Sequence, residues 1–122
     1  MPVSDNVLGG RLKPCCTDPM TGFFRDGSCH TNSQDTGAHV VCAEMTEAFL
    51  TYTKAQGNDL STPRPESNFP GLKPGDRWCV CANRWKEALE DGVAPPVVLS
   101  ATNARSVRYI SVDDLKANAV EE

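Results

Sequence analysis

His39-Val40-Val41-Cys42-Ala43-Glu44-Met45 alternates apolar side chains at Val41, Ala43 and Met45, the two-residue period of a strand. Thr46 follows as a suitable N-cap, since its hydroxyl can accept a bond from a first-turn N–H. Glu47 to Gln56 then predicts a helix. Phe49, Leu50 and Thr53 share one face, Tyr52 lies nearby, and Gly57 is placed to end it. The same order recurs downstream. Arg77-Trp78-Cys79-Val80-Cys81-Ala82 predicts a second strand. Arg84 to Asp91 predicts a short helix, with Trp85, Ala88 and Leu89 at i, i+3 and i+4 and Gly92 at its end. Val41-Cys42-Ala43 and Val80-Cys81-Ala82 echo one another. Both duplication of a strand–helix unit and coincidence are open on three matched residues.

Working outward, Pro96 to Thr102 predicts a third strand through Val97-Val98-Leu99-Ser100-Ala101. Val107 to Ile110 is apolar and fits either a strand or a helical turn. Ser111 to Asn118 predicts a short helix whose start, Ser111 and then Asp114, resembles a capping box. Towards the N-terminus, Asp18-Pro19-Met20-Thr21-Gly22 signals a turn. Asp26-Gly27, between Phe23-Phe24-Arg25 and Ser28-Cys29-His30, signals a hairpin or tight turn. Residues 30 to 38 read as loop. Residues 57 to 76 form a long Pro/Gly-rich connection in which Pro74-Gly75 suits a type II turn. Together these predict one α+β domain over residues 1–122, with its core at about 5–118 and the Glu121-Glu122 end frayed. The architecture is two-layered: a short sheet, two to three helices on one face, and long Pro/Gly-rich loops.

Bulk properties exclude several classes. With 122 residues, 39% hydrophobic and 23% charged, the chain can bury a core and is not a disordered tail. Its net charge of −4 and its 12 scattered basic residues leave no cationic patch for phosphates, so no nucleic-acid partner is expected. Met1 to Leu12 has neither a basic start nor an apolar run, and no stretch approaches the roughly 18 apolar residues of a membrane helix. The expectation is a cytoplasmic protein with no membrane contact. In a reducing compartment the six cysteines, Cys15, Cys16, Cys29, Cys42, Cys79 and Cys81, are by default free thiols.

Several blocks stand in one order along the chain. They are Asn6-Val7-Leu8-Gly9, Thr21-Gly22-Phe23-Phe24-Arg25-Asp26-Gly27, Gly57-Asn58-Asp59-Leu60-Ser61-Thr62-Pro63 and Phe69-Pro70-Gly71-Leu72-Lys73-Pro74-Gly75-Asp76-Arg77-Trp78-Cys79. Arg84-Trp85-Lys86-Glu87-Ala88 and Ala94-Pro95-Pro96-Val97-Val98-Leu99 follow. In these the chain resembles the mostly bacterial domain-of-unknown-function family 2237 over roughly residues 5 to 118. The resemblance implies a small stand-alone protein and no particular activity. One departure is visible: where the family often has a His after Ala-Thr, this chain has Asn103.

Three kinds of site are consistent with the residues. The first is a loop-built ligand site, making the chain a small binding domain. Its candidates are Asp26, Asp59, Asp76, Arg77 and Trp78, polar groups and an aromatic set among rigid prolines and glycines. The plainer alternatives are an Asx-turn at Asp59, a surface pair for Asp76 with Arg77 or Lys73, and a core position for Trp78. The second is a zinc or iron site. On a strand the Cys79 and Cys81 sulfurs face one side about 6.5 Å apart, too far for a mutual disulfide but suited to shared ligation. Cys42 on the neighbouring strand, with His39 or Cys29, would complete it. Three small hydrophobes packed in a sheet is the competing reading. The third is a thiol-dependent enzyme or redox protein, in which a Cys acts with one of the two histidines, His30 and His39. In that reading a free thiol at Cys15-Cys16 can also pair with Cys29.

Overall fold

β1 (His39–Glu44) and β2 (Arg77–Cys81) pair antiparallel, with Cys42 opposite Cys79, Ala43 opposite Trp78 and Glu44 opposite Arg77. The structure is a computed structural model and describes residues 5–17, 21–22, 25–32, 34–35, 38–67, 69 and 71–120. The predicted turn at Asp18-Pro19-Met20, the Phe23-Phe24 pair, Pro70 and the Glu121-Glu122 end lie wholly outside these residues. Each strand leads straight into a helix, α1 (Glu47–Ala55) and α2 (Ala82–Glu90), and α3 (Val112–Ala117) closes the chain. This is a small α+β domain built on a two-stranded antiparallel sheet with three helices.

Local chemistry accounts for these elements. The Thr46 hydroxyl accepts the Phe49 N–H at 3.1 Å, Glu47 sits in the first turn of α1 and Lys54 in the last, so both helix ends are complemented. Phe49, Leu50 and Thr53 are the buried face, as their spacing requires. Ser111 caps α3 by accepting from the Asp114 N–H. At Pro74-Gly75 the turn is closed by the Asp76 N–H on the Lys73 carbonyl at 3.0 Å, and Gly75 takes φ +95°, as a type II turn demands.

The sheet has two differently filled faces. Val41, Ala43, Trp78 and Val80 pack with Phe49, Leu50, Trp85 and Leu115 from the helices. The alternate residues Cys42 and Cys79 pack with Cys15, Cys29, Val98 and Ala101. Trp85 is fully buried, and its indole N–H donates to the Pro95 carbonyl at 3.0 Å. The sequence expectation of free thiols is corrected on the second face. Cys15 is bonded to Cys42 and Cys29 to Cys79, with Cα–Cα separations of 5.7 and 5.4 Å. Cys29 thus pairs with Cys79, not with Cys15 or Cys16. Cys16 and Cys81 remain free. The expectation argued from compartment to redox state. The antiparallel register instead sets Cys42 beside Cys79 and so brings two loop cysteines onto neighbouring strands.

Two boundaries also differ. α2 begins at Ala82, two residues before Arg84, because β2 passes into it with no intervening loop and the Ala82 N–H is taken by the Ala38 carbonyl at 3.0 Å. The third predicted strand, Pro96 to Thr102, is not a strand. Its start runs along the free edge of β1, with the Glu44 N–H on the Pro96 carbonyl and the Val98 N–H on the Cys42 carbonyl. A 3-10 turn at Leu99–Ala101 then lifts it away. The Thr102 hydroxyl takes the next place, accepting the Cys42 N–H at 3.1 Å and donating to the Val98 carbonyl. Beyond it the Asn103 N–H donates to the Val40 carbonyl at 2.9 Å, so the edge is satisfied by two short backbone contacts with a side chain between them. Val107 falls in a further 3-10 turn, Ala104–Arg108.

Candidate active site

A β-bulge sets the site. From Cys42–Cys79 to Val41–Val80 the register is regular, and continuing it would set Val40 opposite Cys81. The register shifts instead, and His39 stands opposite Cys81. Bulges re-aim side chains in this way. The residue before the strand, Ala38, takes φ +49°, a left-handed conformation unusual for a residue with a Cβ. Its N–H donates to the Asp35 carbonyl at 3.0 Å, which holds Asp35 at the start of β1.

Three side chains then line up. His39 Nε2 lies 3.1 Å from Cys81 Sγ, and His39 Nδ1 lies 2.7 Å from Asp35 Oδ1. Asp35 Oδ2 accepts from the His39 backbone N–H at 2.9 Å and from the Thr31 hydroxyl at 3.0 Å. The Asp35 side chain is 1% exposed and that of His39 is 34% exposed. Burial pushes the Asp35 carboxyl up. The bonds from the His39 backbone and ring and from Thr31, with the imidazolium charge, outweigh that and hold it below its ordinary value. His39 is pushed up to about 9. The Cys81 sulfur hydrogen-bonded to its ring is the largest cause, burial opposes it, and Asp35 adds to the rise. With Nδ1 committed to Asp35, Nε2 is the nitrogen left to face the Cys81 sulfur and to exchange a proton with it. Cys81 is half-buried and is also the N-cap residue of α2, where the helix dipole is positive.

His39 also borders a cleft of about 230 Å³ lined by Arg25, Asp59, Leu60, Arg64, Phe69 and Trp78. Besides Arg25 and His39, its lining comes from residues 59, 60, 64 and 69 of the long connection and from Trp78 of β2. At Gly71, φ is +81° and a Cβ would fall 2.5 Å from the Ser61 carbonyl oxygen, so only glycine lets this connection fold back on itself. Phe69 meets the Trp78 ring edge-on, centroids 5.2 Å apart. The Arg25 guanidinium lies 5.1 Å from the centroid of the Trp78 ring, and its Nη1 donates to the Gly22 carbonyl at 2.8 Å. Asp59 forms the Asx-turn, with Oδ1 accepting the Ser61 and Thr62 N–H groups and Oδ2 the Thr62 hydroxyl. The Thr62 hydroxyl and the backbone donors hold its carboxyl below its ordinary value.

The candidates read from sequence are thus divided. Asp59 and Trp78 share the cleft with His39. Trp78 is at the same time part of the core. Asp26 accepts the Ser28 N–H and lies 3.9 Å from His30. Asp76 accepts the Lys73 N–H within its own turn. Arg77 begins β2 opposite Glu44 and does not line the cleft. Of the five metal candidates, Cys81 and His39 stand together, while Cys42, Cys79 and Cys29 belong to the disulfide face. The sulfurs of Cys15, Cys29 and Cys79 are mutually within 4.8 Å and fully buried, close enough to hold a metal as thiolates. The structure has all three in disulfides. Asn103, at the position of the family's frequent His, is buried. It donates to the Cys29 carbonyl and accepts the Arg105 N–H, which makes it the cap of a 3-10 turn. Asp35, Arg25, Arg64 and Phe69 escaped the sequence reading. For Asp35 the available signal was a carboxylate four residues before a histidine, a spacing too common to single it out.

A family model described as an uncharacterized protein conserved in bacteria, domain-of-unknown-function family 2237, matches residues 5–119, and the chain belongs to that family. No curated protein matches it. Among the described residues, no helix is long and apolar enough to cross a membrane.

Proposed function

We propose that the chain is a thiol-dependent enzyme in which Cys81 is the nucleophile, His39 the general base and then acid, and Asp35 the group that orients and charges His39. The single observation that carries this reading is the line Cys81–His39–Asp35, with contacts of 3.1 and 2.7 Å made by the two opposite nitrogens of one ring. The cleft beside His39 is the substrate site, which unites the ligand-site reading of the 57–78 loop with the thiol chemistry. In an acyl-transfer cycle the Cys81 proton passes to His39 Nε2, the sulfur's electron pair forms a bond to the acyl carbon, and the bond from that carbon to the departing group breaks. His39 then gives that proton to the departing group. Water, losing a proton to His39, then bonds to the acyl carbon, the S–C bond breaks, and His39 returns the proton to the sulfur.

Native alkylation at pH 6 tests this, with Cys16 as the internal comparison. Cys81 is expected to react with iodoacetamide far faster than Cys16. His39→Ala is expected to slow it by about 100-fold, the lower range of general acid–base effects. Equal rates at the two cysteines, or no effect of His39→Ala, would refute the assignment.

A further inference from the structure

We propose that the cleft selects substrates that carry an anionic group, a carboxylate or a phosphate, close to an apolar portion, with Arg25 and Arg64 as the anion receptors. The proposal rests on the thiol-enzyme reading and adds the substrate class to it. Charge is the first argument. Arg25, Arg64 and Asp59 all line the cleft. Among the described residues neither guanidinium has a carboxylate partner. Asp59 does not neutralise them through a shared bond, because both of its oxygens are occupied by its own turn.

Geometry is the second argument. Arg25 is anchored by one nitrogen on Gly22 and lies against Trp78, which leaves several of its five N–H donors for a ligand. Its own backbone is at φ +55°, a conformation the turn holds despite its cost. Arg64 and Phe69 exchange two backbone hydrogen bonds of 2.7 and 3.0 Å, so the Arg64 backbone is pinned beside the aromatic ring's own residue. Leu60, Phe69 and the edge of Trp78 give the apolar wall. A substrate held by its anion at the arginines and by its apolar part on that wall presents its reacting carbon towards His39, the one residue shared by the cleft and the Cys81 line. Both arginines are exposed, so the attraction is modest and weakens with salt.

Two alkylating reagents of nearly one shape and different charge read this out: iodoacetate and iodoacetamide. In each the sulfur's electron pair forms the S–C bond, the C–I bond breaks and iodide leaves. The quantity measured is the rate ratio, iodoacetate over iodoacetamide, at Cys81 relative to the same ratio at Cys16. Arg25→Gln with Arg64→Gln is expected to lower the Cys81 ratio by about 3- to 10-fold, the ratio cancelling any change in the thiol's own reactivity. A urea midpoint close to that of the parent chain verifies that the variant is folded. Arg64→Glu alone, which changes the cleft charge by the same amount as the double variant, is expected to lower the ratio by a similar factor, and added salt to lower it in the parent chain but not in the double variant. A ratio that both arginine variants leave unaltered, with Cys81 still fast towards iodoacetamide, overturns the anion receptor and spares the thiol enzyme. A Cys81 no faster than Cys16 towards iodoacetamide overturns both.

Discussion

Cys79 and Cys81 stand two residues apart on β2 and have opposite fates. Cys79 is 1% exposed and bonded to Cys29 beside a second disulfide. Cys81 is half-buried, free, and 3.1 Å from an imidazole. What separates them is the partner strand. Opposite Cys79 the register is regular and presents Cys42. Opposite Cys81 the bulge at Val40 presents His39 in place of an apolar residue. One irregularity divides a strand between a cross-linked half and a half whose free thiol faces an imidazole.

The largest expected effect breaks the comparison at Cys79. Cys79→Ser opens a bridge that spans 50 residues and is expected to cost about 3–4 kcal/mol in urea unfolding. Cys81→Ser is expected to cost about 1 kcal/mol or less and to abolish the fast alkylation. Equal costs would mean that Cys81 is a core residue like its neighbour. Reduction of both bridges sharpens the point. If added zinc restores the lost stability, the buried sulfurs are metal ligands in the reduced chain; no recovery assigns them to the disulfides.

A smaller effect is expected at Asp35. Asp35→Asn keeps the side-chain volume but lets Nδ1 lose its proton preference. Cys81 alkylation should fall about tenfold, with its pH profile displaced, since His39 no longer holds its charge as firmly. A fall in rate with an unmoved pH profile would make Asp35 a loop anchor and nothing more.

The smallest effect is in stability against pH. His39 has its folded value raised from 6.5 to about 9, so its contribution is complete below pH 6.5 and is lost as the pH rises through about 9. Its side chain is a third exposed, and solvent screening reduces the effect to about 1 kcal/mol. Urea midpoints of the parent chain should decline over that window relative to those of His39→Ala. Parallel curves would mean that the Cys81–His39–Asp35 line stores no charge interaction.

Both strands, α1 with its Thr46 cap, the α3 cap at Ser111 and the Pro74-Gly75 turn were legible in the residues, because periodicity, capping and turn chemistry act over a few neighbours. The same local physics misread Pro96 to Thr102. A β-branched run looks like a strand, but a strand needs a partner along its length, and here a 3-10 turn and the Thr102 hydroxyl intervene. The candidate site was legible in part. His39 and Cys81 were singled out, yet in a set with Cys42, Cys79 and Cys29, which the structure sends to the other task.

The sequence alone determined an α+β chain with two strand–helix units and membership of its family. Tertiary structure decided which cysteines are bonded, which one is free beside a histidine, and that Asp35 stands behind that histidine. The reason is physical. Residues 27, 42 and 50 apart meet only when strand register, one bulge and a left-handed Ala38 are set together, and none of these is written in a local pattern of apolar and polar residues.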